Sequence, residues 1–140
     1  MRWLAEVFVE ETRKDGYSFD WDPALIHHLD NYLLEFVASD PPSDVKHSVI
    51  MGVGAYLGEM IVRHAGWSWS YDRKGSEATV TSPDGLVGYP HSKVAKRIEF
   101  GPEHNLEAFF TYAITGEAPH GSTARVYKPS WWKRRLRDQG

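Results

Sequence analysis

The sequence predicts an α+β fold: one domain in which an antiparallel three-stranded meander packs against about five helices. Three observations lead there. Apolar residues recur at helical spacing in several long stretches. Trp67, Trp69 and Tyr71 alternate with Ser68, Ser70 and Asp72, which is the period of a strand with one aromatic face. Turn sequences, Arg73-Lys74-Gly75-Ser76 and Ser82-Pro83-Asp84-Gly85, then divide the chain into short β runs.

In order along the chain, Trp3, Leu4, Val7 and Phe8 follow helical spacing and stop at Asp15-Gly16, so residues 2 to 14 form a first helix. Asp22 can accept from the free N–H groups of a second helix, and Pro23 fits its first turn without losing a needed donor. Leu25, Leu29, Tyr32, Leu33 and Phe36 make that helix's apolar face, which ends before Asp40-Pro41-Pro42. Ser43 or Asp44 can cap a third. Its stripe of Val45, Val49, Val53, Tyr56, Leu57, Met60 and Ile61 is broad enough for a central helix contacted from several sides.

Gly66 ends the third helix and the chain runs straight into the aromatic strand. In the next strand Ala78, Val80 and Ser82 alternate with Glu77, Thr79 and Thr81, and Leu86 to Tyr89 supply the third. Pro90 opens a helix that uses Val94, Ala95 and Ile98 inward, with Lys93, Lys96 and Arg97 outward. Leu106, Phe109, Phe110, Ala113 and Ile114 define the last helix, closed by Gly116. Residues 1–116 are thus the expected globular domain, and residues 117–140 a linker and a basic, Trp-containing tail.

Composition narrows the chemistry. The 140-residue chain has no cysteine, which excludes disulfides, thiolate nucleophiles, Cys-ligated zinc and iron–sulfur clusters. Six Trp, seven Tyr and six Phe bias it towards contact surfaces. The net charge of −3 hides an asymmetry: residues 125 to 140 carry six bases against Asp138, while the other 124 residues carry 10 bases and 18 acids. An acidic body of −8 therefore bears a tail of +5. The N-terminal MRWLAEVFVEETRK has no uninterrupted apolar run, so neither a signal peptide nor a transmembrane segment is expected, and a cytoplasmic location is the default.

The order of Gly58-Glu59 late in a helix, a strand bearing Trp67 and Trp69, a turn, then Pro90 with Lys93, Val94, Lys96, Arg97 and a closing Gly101 resembles small bacterial domains of unknown function, frequent in actinobacteria. The resemblance covers roughly residues 50 to 115. It implies the same fold and brings no catalytic residues with it.

GVGAYLG, residues 52 to 58, fits a G-x-G-x-x-x-G variant of the dinucleotide loop, with Asp72 near the place of a ribose-binding acid. Against that, the helical stripe begins before the glycines, at Val45, and the would-be second strand carries alternating serines in place of a buried run. The other reading is steric: Gly54 and Gly58, four apart on a helix, let another element come close, which offsets a cost of about 1 kcal/mol each relative to alanine.

Glu59 likewise has two readings. It can pair with Arg63 on the helix surface at i, i+4. It can instead lie beside the face of Trp67, Trp69 and Tyr71, half-buried, as an acid, a base or an anchor for a cation. The seven histidines show no H-x-x-x-H or H-E-x-x-H spacing, so no metal is expected, and no G-x-S-x-G elbow is present. In the tail, Trp131 and Trp132 beside Lys133, Arg134, Arg135 and Arg137 can stack on bases and contact phosphates, or dock on the acidic body.

These features lead to a cofactor-free interaction protein that binds a protein partner, in an immunity or regulatory role, through its acidic body or aromatic patch. The contact residues are then Glu59, Trp67, Trp69, Tyr71 and the tail. The alternatives are a nucleic-acid-associated module using the tail, and a small enzyme with a pocket around Glu59.

Overall fold

The structure, a computed structural model, describes residues 1–74 and 76–117. The tail residues Trp131, Trp132, Lys133, Arg134, Arg135 and Arg137 lie outside the described residues. The elements are α1 (Arg2–Lys14), a 3₁₀ turn (Pro23–Leu25), α2 (His27–Ala38), α3 (Ser43–Ala65), β1 (Ser68–Asp72), β2 (Glu77–Thr81), β3 (Val87–Gly88), α4 (Pro90–Phe100) and α5 (Leu106–Thr115). The strands form one antiparallel sheet in the order β1-β2-β3, with Trp69 opposite Val80, Tyr71 opposite Ala78, and Val80 opposite Gly88. The chain is an α+β domain, as its periodicities require. No described helix is long and apolar enough to cross a membrane.

Helix α3 is the axis of the molecule. It touches α1, α4, α5, β1 and β2, and nine consecutive residues, Val53 to Ile61, are buried. A helix buried all round cannot keep a polar face, which explains why its apolar stripe reads as broad. Pro42 stands at its N-cap with no side-chain cap, so neither Ser43 nor Asp44 has the capping role that the sequence offers them. Its C-cap is Gly66 in the left-handed region, φ 73°, which turns the chain at once into the strand.

On one side of α3 an aromatic cluster joins α1, the segment after it, and α2. Phe8, Phe19, Tyr32 and Tyr56 meet with ring centroids 5.1 to 5.8 Å apart, in tilted and edge-on arrangements favoured by the ring quadrupoles. The Tyr56 hydroxyl donates to the Asp20 carbonyl. Burial and the nearby Asp20 raise its pKa, so the phenol keeps its proton.

Two expectations for burial need correction. Lys93 and Arg97, expected to point outward from α4, are 6% and 3% exposed. Helix α4 is enclosed by α2, α3, α5 and β2, so Lys93 and Arg97 run their long stems through the interior, while Lys96 is exposed as expected. In β2 the alternation fails at Thr79, which is buried along with Ala78 and Val80 because this strand lies between the other two.

Arg97 reaches Asp30 on α2, its Nε 3.3 Å from Oδ1, and its Nη2 donates to the Asp30 carbonyl. The same carboxylate accepts the backbone N–H groups of Leu106 and Glu107 at 3.0 and 3.1 Å. Asn105 caps the third donor, that of Ala108. One carboxylate thus satisfies the free end of α5 and neutralises a buried guanidinium. Replacing Asp30 with alanine is expected to lower unfolding free energy by about 3 kcal/mol, because it strands a buried cation and uncaps a helix together. Asp30→Asn, which keeps an acceptor, should lose less; urea denaturation of both variants checks the order.

Candidate functional site

The glycines of α3 decide where the sheet and α4 sit. A Cβ on Gly54 would lie 2.4 Å from Cδ2 of His91, and one on Gly58 would lie 2.1 Å from Cη2 of Trp69 and 3.0 Å from Pro90 Cγ. Both distances are far inside van der Waals contact, so only glycine admits the imidazole and the indole. Residues 52 to 58 are interior helix, so the spacing that mimics a dinucleotide loop comes from packing.

Glu59 unites its two readings. It is 4% exposed. Its Oε2 accepts from Arg63 Nε at 2.9 Å and its Oε1 from Trp69 Nε1 at 3.0 Å. The ion pair exists as the i, i+4 spacing suggests, but with its carboxylate buried and its guanidinium at the surface, and one aromatic of the strand completes it. Arg63 in turn lies over the Trp21 ring, 3.5 Å from its centroid, and His64 Nε2 donates 2.7 Å to the Trp21 carbonyl. With both oxygens engaged, this carboxylate is a tie between α3, β1 and the segment before α2.

The three strand aromatics do not form one patch. Trp67 precedes β1 and is buried, Trp69 is half-buried, and Tyr71 is 63% exposed. Of the expected contact residues that are described, Tyr71 alone stands out into solvent.

Tyr71 borders a cavity of about 380 Å³ that the sequence did not disclose. Its floor and walls come from Met1, from Ile50 and Met51 of α3, from Ser76, Glu77 and Ala78 of the hairpin, and from His91, Ser92 and Ala95 of α4. The volume lies within the range of about 300–1,000 Å³ common for ligand pockets. Apolar side chains dominate, with a polar edge where the Ser92 hydroxyl donates to Glu77 Oε1. Glu59 is not part of it.

His91 is the unusual member. It is 7% exposed, and its Nε2 is the one buried side-chain polar atom with no partner among the described residues. Burial lowers its pKa, against smaller opposing effects from the Met51 backbone and Glu77; the Met1 ammonium adds slightly to the lowering. A buried ring nitrogen left without a partner costs about 1–3 kcal/mol. A lone histidine near a turn carries no sequence signal of this kind; the pairing of Gly54 with a ring 37 residues away exists only in the fold. Among the described residues no group of three or more His, Asp or Glu side chains is placed to hold a metal ion.

Gly58→Ala should gain about 1 kcal/mol of helix propensity and lose about 1–3 kcal/mol or more to overpacking against an indole that the Glu59 bond holds in place. The expected net effect is a lower denaturation midpoint. Gly52→Ala, whose Cβ would meet the Phe8 side chain at 3.3 Å, should be closer to neutral.

The histidine also predicts a pH effect. The unfolded imidazole takes up a proton near its ordinary value of about 6.5, and the folded one does so only at lower pH. Stability from the neutral ring is therefore complete above about pH 6.5 and is lost as pH falls towards the folded value. Wild type should lose stability on acidification more steeply than His91→Asn, by up to about 1.4 kcal/mol per pH unit; chemical denaturation at a series of pH values measures the difference.

In comparisons with known proteins, no family model matches this chain, and neither a curated protein nor a solved structure is found to match it, so the resemblance of residues 50 to 115 assigns no residue a role.

Proposed function

We propose that this chain is a binding protein that recognises a protein partner at the face where the hairpin meets α4, taking a partner side chain into the cavity beside Tyr71. The observation that carries the reading is the cavity itself: about 380 Å³, mostly apolar, with an exposed aromatic at its edge. Large amphipathic rings beside a depression are the usual anchors of protein contacts. The surplus of 18 acids over 10 bases in the first 124 residues supports a partner with a basic surface, since complementary charge speeds encounter and selects against acidic proteins. Glu59, Trp67 and Trp69 then serve this function from inside, by fixing the strand that carries Tyr71.

The test is retention of proteins from the native host's lysate on the full chain, on Tyr71→Glu, on Ala95→Trp, and on Phe100→Ser at the other end of α4. Circular dichroism should show all four folded. A defined protein held by wild type and Phe100→Ser, and reduced about tenfold by the other two, is the expected result. Equal retention by all four, or no retained protein, would overturn the reading.

A further inference from the structure

Strand β1 is paired on one side only, and the register shows which of its backbone groups are left over. Each residue of β2 turns its N–H and C=O to one neighbour, alternately β3 and β1. Ser82, continuing β2, donates its N–H to the Leu86 carbonyl on the β3 side at 2.8 Å. By alternation Val80 also faces β3, opposite Gly88, while Thr81 and Thr79 face β1, opposite Ser68 and Ser70. Ser68 and Ser70 therefore spend their backbone groups on β2, and Trp69 and Tyr71 turn theirs away from the sheet. Among the described residues nothing else bonds these two N–H and two C=O groups.

Such an edge is commonly blunted by proline, lysine, a bulge or shortness. Strand β3, the opposite edge, has two residues and is soon followed by Pro90. Strand β1 has five residues in unbroken register, with no proline or lysine and its one charge at the last position, Asp72. The Trp69 and Tyr71 side chains point to the helical side, the indole over Gly58 and the phenol at the cavity. The open edge and the cavity thus meet at Tyr71.

We infer that the free edge of β1 receives an extended segment of the protein partner, which becomes a fourth strand and sets an apolar side chain beside Tyr71 at the cavity. The outward groups of Trp69 and Tyr71 repeat at about 7 Å, the interval at which alternate residues of another strand present theirs. A helix spends its backbone groups internally and cannot match them. Residues directly opposite one another share a face, so the segment's residues facing Trp69 and Tyr71 turn towards the helices, where apolar side chains suit Ile50, Met51 and Ala78. A second copy of the chain would bring together two bodies of −8, whereas a basic partner gains from that charge. The inference rests on the reading that a protein partner binds at this face.

The test begins with selection of random ten-residue peptides, displayed on phage, against the immobilised full chain. Selected peptides should share two apolar residues two apart with no proline between them. One of them, resynthesised with a single N-methyl group at each position in turn, is then titrated calorimetrically. Methylation should weaken binding about tenfold at alternate positions, where the donor faces β1, and much less between them. On the protein, Tyr71→Ala removes the ring, and Tyr71→Pro removes the ring and the outward N–H, at an edge position where a strand tolerates proline. Tyr71→Pro should bind about tenfold more weakly than Tyr71→Ala; circular dichroism checks that both are folded, and the methylation series stands without them.

Failure to select any peptide, a methylation series without alternation, or equal binding by the two folded variants would overturn the inference. So would a wild-type dimer in sedimentation that Tyr71→Pro dissociates, which would give the edge to a second copy. The wider reading is judged separately, by whether Tyr71→Glu and Ala95→Trp lose a partner that wild type retains.

Discussion

Everything in this molecule is arranged around the close approach of other elements to α3. Two missing side chains make that approach feasible: the space above Gly58 is filled by the Trp69 indole and the space above Gly54 by the His91 ring. Each glycine sacrifices about 1 kcal/mol of helix propensity. What it gains is the placement of a large aromatic, or a whole helix, one side-chain layer nearer the axis. Because β1 and α4 are both set by these contacts, so are the position of Tyr71 and the shape of the cavity between them.

The second organising feature is the treatment of buried charge. Two guanidinium groups enter or border the interior, and each meets a carboxylate already committed to another group: Glu59 to the indole N–H of Trp69, Asp30 to the first N–H groups of α5. Such pairs contribute little net stability compared with apolar residues of equal volume, because desolvation cancels much of their attraction. Their geometry is more informative. Each joins three elements that could otherwise slide, so the polar groups specify alignment where the apolar core supplies the adhesion.

The architecture was legible in the sequence because helix and strand periods survive any tertiary context that buries one face. Helix α1 falls on residues 2 to 14 as its spacing indicates, and Gly66 and Gly116 close helices in the left-handed conformation. Where an element is buried on several sides the pattern misleads. Arg97 and Lys93 look like a solvated face, yet α4 has none on that side. The Glu59–Arg63 pair was legible at four-residue spacing, but its burial was not, since burial depends on Trp69 folding back over Gly58. The cavity was least legible: it draws on Met1, α3, the hairpin and α4, and one ring in its lining, His91, is notable for a buried Nε2 that lacks a partner. No local spacing encodes the absence of a contact.

One further consequence follows from the segment between α1 and the 3₁₀ turn. Residues 18 to 22 form no helix or strand, yet three side chains from the second half of α3 hold them: the Tyr56 hydroxyl on the Asp20 carbonyl, His64 on the Trp21 carbonyl, and Arg63 stacked on the Trp21 ring. An irregular stretch fastened in this way opens when its fasteners do. Its native-state hydrogen exchange should therefore follow that of the last turns of α3, making the connection and the helix end one cooperative unit. Fraying of that helix end would release the connection and bring water to Phe19 and Tyr56, so the aromatic cluster depends on the far end of a helix whose middle it packs against.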